Sequence, residues 1–121
     1  MIGVSDTYHP MKTDRFAKDL ATGSYDLLVL DALRERPAYG YEIVRRIAEQ
    51  SKHTIRWHFG TVYHVLHHLE RQGLVTSRWK TVGRDRERNY YRLTARGRGV
   101  WRRQRAQWQV FSKAVNALLG L

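Results

Sequence analysis

The fold of this chain is decided by residues 59–93, which read FGTVYHVLHHLERQGLVTSRWKTVGRDRERNYYRL. Apolar side chains recur there three and four positions apart, which predicts one buried face on a helix over residues 59–72. They are Val62, Val65, Leu66 and Leu69. Gly73 stands where a left-handed residue would end that helix. Two runs of β-forming residues follow, 74–80 and 88–93, and predict a hairpin with a basic tip.

Two further helices are predicted before this segment. Ser24 can cap the first of them, and Pro37 is expected to end it because proline disfavours helical geometry at the preceding residue. Its apolar positions are Leu27, Leu28, Leu30, Ala32 and Leu33. Gly40 supplies a flexible turn, and a second helix is predicted over residues 41–50. Its apolar stripe consists of Ile43, Val44, Ile47 and Ala48.

Three helices followed by a hairpin are typical of a winged helix-turn-helix domain. In such a domain the third helix fits the major groove, and the hairpin, or wing, lies over the backbone or the minor groove. We therefore expect a mainly α protein with a small β-hairpin, an α+β fold, with the DNA-binding domain in residues 23–93. Residues 1–22 would be an N-terminal extension, in which residues 11–20 have the pattern of a short helix.

The last part of the chain, residues 94–121, is predicted to be a C-terminal dimerisation helix with Thr94 as its N-cap. Its apolar residues are spaced in a heptad-like way, interrupted only at Gln104. They are Trp101, Trp108, Phe111, Val115 and Leu118. A helix over residues 95–119 would be roughly 37 Å long, which matches or exceeds the width of so small a domain. We expect the same helix of a second copy to cover it in an isologous homodimer; the alternative is that it folds back on its own core.

Charge is unevenly distributed along the chain. The 121 residues carry a net charge of +11, of which residues 1–60 contribute +1 and residues 61–121 contribute +10. Such a balance predicts a polyanionic partner, most often nucleic acid, here double-stranded DNA. No run of 18 apolar residues, no signal-like N-terminus and no cysteine is present, so we expect a cytoplasmic protein with no membrane partner.

The face of the third helix opposite its buried stripe carries hydroxyls, rings and imidazoles, all of which can hydrogen-bond to a phosphate or a base edge. These residues are Thr61, Tyr63, His64, His67, His68 and Arg71. The hairpin tip adds Arg84, Arg86 and Arg88. This arrangement predicts a helix that reads DNA and a wing that anchors on its backbone.

Other functions fit the sequence less well. A metal-responsive regulator is one alternative, because His58, His64, His67 and His68 include imidazoles four positions apart; we nevertheless expect no metal and no other cofactor. An architectural protein that binds DNA without sequence preference is another. Catalysis is not expected, since no paired carboxylates, glycine-rich phosphate loop or nucleophile with a base occurs at useful spacing.

Five motifs in one order resemble the PadR family of bacterial transcriptional regulators. They are SYDLLVL at 24–30, YGYEI at 39–43, GTVY at 60–63, LHHLERQGLV at 66–75 and RNYYRLT at 88–94. The single helix after the wing resembles the short subfamily. The resemblance implies a ligand-responsive repressor that binds a pseudo-palindromic operator as a homodimer and leaves it when an effector binds.

The resemblance also implies roles for individual residues. Thr61 and Tyr63 match the start of the family's recognition helix, while Tyr39 and Tyr41 match the turn before the second helix. The basic positions of the family's wing are matched here by Arg84, Arg86 and Arg88. Trp108 matches an aromatic position that lies at the dimer interface and lines the ligand cavity in multidrug-responsive members.

Flat apolar side chains in the last helix suit a small aromatic or phenolic effector, and plain dimer packing explains them equally well. They are Trp101, Trp108 and Phe111. The sequence departs from the family pattern at the DNA-facing end. His58 and Phe59 replace a common Ser-Pro pair, and His64 replaces a common proline, so the family's operator sequence does not carry over.

Overall fold

The computed structural model describes residues 24–121, which form four helices and one hairpin. The helices are α1 (Tyr25–Ala32), α2 (Gly40–Gln50), α3 (Phe59–Arg71) and α4 (Ala95–Leu119), and the strands are β1 (Val75–Val82) and β2 (Arg86–Leu93). The two strands pair antiparallel, with Val75 opposite Leu93 at the base and Val82 opposite Arg86 at the tip. The predicted α+β fold is confirmed. The short helix expected over residues 11–20 lies outside the described residues.

The core lies where α1, α2 and α3 meet the base of the hairpin. The apolar stripes of α2 and α3 face inward, as their spacing predicts, and Tyr91 of β2 closes the core from the side of the wing. On α1 the prediction is only partly right: Val29, which the predicted stripe omitted, is fully buried, whereas Leu27 is half-buried. The fully covered side chains are Val29, Leu30, Leu33, Ile43, Val62, Leu66, Leu69, Val75 and Tyr91. Trp57, in the loop before α3, joins this core and meets the ring of Tyr25 at 4.8 Å between centroids.

A single residue between α1 and α2 adds a third, one-residue strand to the wing. Ala38 pairs with Tyr91, its amide donating to the Tyr91 carbonyl at 3.0 Å and its carbonyl accepting from the Tyr91 amide at 2.8 Å. The sequence pattern did not predict this bridge. Because Ala38 is buried, the bridge fixes the hairpin against the start of α2.

The prediction that Pro37 ends the first helix is wrong. α1 ends at Ala32, and residues 33–37 form a turn held by the guanidinium of Arg46. That group donates to the carbonyls of Ala32 at 2.8 Å, Arg36 at 3.2 Å and Pro37 at 3.3 Å. A long side chain on α2 thus satisfies one carbonyl at the end of α1 and two carbonyls of the turn that follows it.

Two smaller expectations are corrected at the helix starts. Ser24 occupies the N-cap position of α1, but its side chain makes no capping hydrogen bond. Gly40 is not a flexible turn: it is the buried first residue of α2, and a Cβ there would overlap the ring of Phe59. The start of α2 and the start of α3 therefore lie in direct contact.

α4 begins with the predicted cap. Thr94 Oγ1 accepts from the Gly97 amide at 3.0 Å and donates to the Gly73 carbonyl at 2.7 Å. A Cβ at Gly97 would overlap the backbone carbonyl of Leu74, so only glycine allows this approach. Gly73 has a φ of 76°, the left-handed cap predicted for it. The N-terminal part of α4 is thereby fixed against the end of α3.

Candidate nucleic-acid interface

Four rings form a continuous row across the starts of α2 and α3. Tyr41 stacks on Phe59 at 4.5 Å between centroids, Phe59 on Tyr63 at 5.5 Å, and Tyr63 meets His67 at 4.1 Å. We call these four residues the ring row. It exists because Gly40 allows Phe59 to pack closely, while Phe59, Tyr63 and His67 follow one another at four-residue spacing on α3. Tyr41 and Tyr63 are 59% and 44% exposed.

The outward face of α3 carries most of the residues predicted to read DNA. Tyr63 and His64 are exposed, and Thr61 and His67 are half-buried. The buried stripe of the helix forces this arrangement, since these positions alternate with core residues such as Val62 and Val65.

His68 points elsewhere. Its Nε2 lies 3.7 Å from Asp26 Oδ2 of α1. Within residues 24–121, no three side chains among His, Asp and Glu are grouped so as to hold a metal ion. The histidines that suggested a metal-responsive regulator are thus not brought together.

The wing is supported by contacts between cations and rings. The guanidinium of Arg88 lies 4.3 Å from the ring centroid of Tyr39, and Lys80 Nζ lies 5.2 Å from that of Tyr90. Tyr39 and Tyr90 in turn meet edge to face at 5.4 Å. The two contacts of Tyr39 hold β2 against the turn before α2, while the contact of Lys80 with Tyr90 joins the two strands. The basic tip of the hairpin stays in solvent.

One groove, of about 150 Å³, joins the helices to the wing. Its walls come from α2, α3, both strands and the turn before α2. They include Tyr39, Tyr41, Phe59, Tyr63, Trp79 and Arg88. Four residues predicted to bind DNA, Tyr39, Tyr41, Tyr63 and Arg88, therefore lie together. Arg84 and Arg86 are exposed at the tip of the hairpin, where they line a second hollow together with Arg88, which thus connects the tip to the groove.

Phe59 and Trp79 belong to this surface although the sequence pattern did not predict them there. Trp79 is 63% exposed on β1, and Phe59 is the ring around which the ring row is built. Strand alternation places Trp79 on the same face as Val75, which is buried at the base of the hairpin, and the strand carries Trp79 beyond the core into the groove. Phe59 stood out in the sequence only as a departure from a Ser-Pro pair.

The family model of the transcriptional regulator PadR-like family matches residues 29–103. The match runs from α1 through the wing to the first turns of α4 and so covers most of the surface just described. The chain belongs to the PadR-like family. The resemblance that the five motifs indicated is confirmed.

Solved structures of PadR-like regulators have the same fold. A PadR family transcriptional regulator from Eggerthella lenta is 39% identical with a TM-score of 0.71, covering 87% of this chain and 89% of that one. A transcriptional regulator from Clostridium thermocellum is 28% identical with a TM-score of 0.73, covering 82% and 93%. Bacillus subtilis PadR, solved in complex with operator DNA, is 23% identical with a TM-score of 0.62, covering 67% and 46%. At that identity the last comparison supports the fold alone.

The C-terminal helix of this PadR-like chain has two different parts. Trp101 packs against the core of its own domain, and its Nε1 donates to Asp31 Oδ1 at 2.9 Å. Beyond it, Trp108, Phe111 and Leu118 are 47%, 60% and 86% exposed, and Val115 is half-buried. Trp101, which the heptad pattern assigned to a dimer interface and an effector site, therefore has a place within the monomer, because it lies where α4 still crosses α1.

The exposed part of α4 carries further apolar side chains outside the predicted positions. They are Val110 and Leu119, and the exposed Leu121 follows just after the end of the helix. Trp108 and Phe111 meet at 5.9 Å between ring centroids. No helix within residues 24–121 is both long and apolar enough to cross a membrane.

Proposed function

We propose that this PadR-like chain is a sequence-specific regulator that binds double-stranded DNA, with α3 in the major groove and the wing on the sugar–phosphate backbone. The observation that carries the proposal is the groove shared by α2, α3 and the hairpin. It places the exposed start of α3 and the cation of Arg88 on one surface. The net charge of +10 in residues 61–121 gives that half of the chain the sign that DNA requires.

The two parts of the surface have different tasks. Arg84 and Arg86 are exposed at the tip of the hairpin and suit phosphate contacts, which supply affinity without reading sequence. The exposed side chains of α3, led by Thr61, Tyr63 and His64, suit the edges of bases in the major groove. Bacillus subtilis PadR, which has the same fold, was solved in complex with operator DNA, so the fold itself is compatible with binding DNA.

The protein acts as a homodimer through the second half of α4. Its apolar residues are exposed within the part of the chain that the structure describes, and an isologous contact with a second copy would cover them on both chains. Phe111 and Leu118 form the centre of that contact, with Trp108 and Val115 beside them. A two-fold dimer requires a pseudo-palindromic site with half-sites about one helical turn apart.

An effector would act between the two copies of α4. Trp108 and Phe111 offer ring faces to a small aromatic or phenolic molecule. Such a molecule would release a repressor from DNA by binding more tightly to the conformation of α4 that does not fit the operator. The size of the shift is limited by the difference between its affinities for the two conformations. Trp101 has a different role in this response. Its hydrogen bond to Asp31 joins α4 to α1, so a shift of α4 would also move the DNA-binding domain.

The test is a selection of bound sequences from randomised duplex DNA, followed by titration of the full-length chain with the selected site and with a scrambled control. We expect a two-fold symmetric consensus and an affinity for the selected site at least 1,000-fold above that for the scrambled duplex. Equal affinity for both would favour the architectural alternative. Sedimentation at the same concentrations should give a dimer; a monomer that nevertheless binds the symmetric site would refute the role given to α4.

A further inference from the structure

The outward face of α3, which would contact the bases, has an unusual residue composition. Side chains that recognise bases by paired hydrogen bonds are arginine, lysine, asparagine and glutamine. None of them occurs between Phe59 and His67. Besides Thr61 and His64, the surface offered there is made of rings: Tyr63 is 44% exposed, and Tyr41 of the neighbouring α2 is 59% exposed.

We propose that the ring row recognises the C5-methyl group of thymine in the major groove. This inference rests on the proposed function, because it requires α3 to lie in that groove. The thymine methyl is the one apolar group that a base pair presents there, and contact with an aromatic side chain is a known way to read it. A methyl group moved from water onto a ring face should raise affinity about fourfold.

The geometry of the ring row favours this kind of recognition. Phe59 is held between Tyr41 and Tyr63 at centroid distances of 4.5 and 5.5 Å, and its ring also packs on Gly40. Rings that are already packed against one another lose little rotamer freedom when they come into contact with a base pair. Phe59 is therefore a positioning residue, and the more exposed Tyr41 and Tyr63 make the contact with the methyl group.

The experiment uses the full chain and the duplex it selects from random sequences. Each thymine of the selected site is replaced singly by deoxyuridine, which removes the methyl group and keeps the Watson–Crick hydrogen bonds. Fluorescence anisotropy then gives the affinity. We expect at least one thymine in each half-site at which the replacement lowers affinity about fourfold, and about 15-fold when both half-sites are changed. The protein should bind a duplex with 5-methylcytosine at that position about fourfold more tightly than a duplex with cytosine there.

Variants show whether the rings are responsible. In Tyr41→Ala/Tyr63→Ala, thymine and deoxyuridine sites should bind equally, and circular dichroism checks that the variant keeps the helical content of the wild type. The control is Trp79→Ala, which removes another exposed ring but should keep the fourfold ratio. The same ratio in the double variant and in the wild type would overturn the assignment to the ring row.

The remaining outcomes separate this proposal from the proposed function. A protein that prefers its selected site but responds to no deoxyuridine replacement by more than about 1.5-fold still reads sequence, and only the methyl proposal fails. A protein that selects no consensus at all overturns sequence-specific binding, and the methyl proposal fails with it.

Discussion

The indole N–H of Trp101 donates a 2.9 Å hydrogen bond to Asp31 Oδ1, and this bond joins α4 to α1 across seventy positions of sequence. Asp31 also accepts from Arg34 at 2.9 Å through its other oxygen. Arg98, one turn before Trp101, donates to the carbonyl of Arg34 at 3.0 Å. The end of α1 and the beginning of α4 thus form one polar contact, which fixes the direction in which the rest of α4 leaves the domain.

Replacing Trp101 with phenylalanine removes the hydrogen bond and keeps a ring in the same place. We expect the free energy of unfolding to fall by about 1–2 kcal/mol, because one oxygen of a half-buried carboxylate loses its partner. Urea titration measures this change. Trp108→Phe is the matched control: Trp108 is 47% exposed, and the same substitution there should change stability by less than about 0.5 kcal/mol under conditions that keep the chain monomeric.

Much of this fold could be predicted from the sequence because the apolar spacing is strong where the core is. The stripe of α3 and the cap at Gly73 both lie where the pattern placed them. The end of α1 could not be placed, since the turn at residues 33–37 is held by Arg46, a residue from another helix. The bridge of Ala38 to Tyr91 is likewise a contact between distant parts of the chain, which local patterns do not contain.

The candidate site was predictable only in part, for the same reason. Exposed polar positions on α3 follow from the helical period, so Tyr63 and His64 could be named from the sequence. The role of Phe59 could not, because it depends on the missing Cβ of Gly40 on a neighbouring helix. Trp101 shows the same limit: its heptad spacing suggested an interface, and no local pattern indicated that α4 crosses α1 there and that the indole also packs against the core of its own domain.

Gly97 should tolerate no side chain. A Cβ at this position would overlap the Leu74 carbonyl, and neither backbone can move without breaking the cap at Thr94. We expect Gly97→Ala to lower the free energy of unfolding by about 3 kcal/mol or more. Gly99→Ala is the control two positions away, where no atom lies within 4 Å of the added Cβ. It should stabilise α4 by about 0.5–1 kcal/mol, since alanine favours helix. Thermal unfolding followed by circular dichroism distinguishes the two, and equal effects would contradict the close contact.

The two arginines at the tip of the wing should raise the affinity for duplex DNA without favouring one sequence over another. In Arg84→Ala/Arg86→Ala, binding to the selected and to the scrambled duplex should weaken by the same factor, and the slope of log K against log salt should fall by about 0.9 for each phosphate that the variant no longer neutralises. Anisotropy titrations between 50 and 200 mM salt (about a fourfold range) measure both. His64→Ala should instead weaken the selected site more than the scrambled one. A larger loss on the selected site for the wing variant would show that the wing also reads sequence.

Stability at alkaline pH should depend on Tyr91. Burial raises the pKa of its hydroxyl above the ordinary value of 10.0, and the charge of Glu70 adds to this shift. The folded state therefore keeps the proton at a pH where the unfolded chain has lost it, so the stabilising effect is present below pH 10 and is lost as pH rises through the folded pKa. Urea midpoints at increasing pH should fall less steeply above pH 10 in Tyr91→Phe than in the wild type. Tyr90→Phe is the control on the same strand, and a change of slope in Tyr90→Phe alone would refute the assignment.

Charge placed on the exposed face of α4 should separate the two copies. Phe111 and Leu118 are 60% and 86% exposed in a single chain, so Phe111→Glu should leave the monomer folded while making burial against a second copy unfavourable. Gln109→Glu adds the same charge to the same helix on its polar side and is the matched control. Sedimentation should give a monomer for Phe111→Glu and a dimer for Gln109→Glu, with unchanged helical content in both.

Because a symmetric operator is bound by two linked copies, Phe111→Glu should also lose affinity for the whole site while its affinity for an isolated half-site is unchanged. A dimeric Phe111→Glu would mean that the copies meet through another surface.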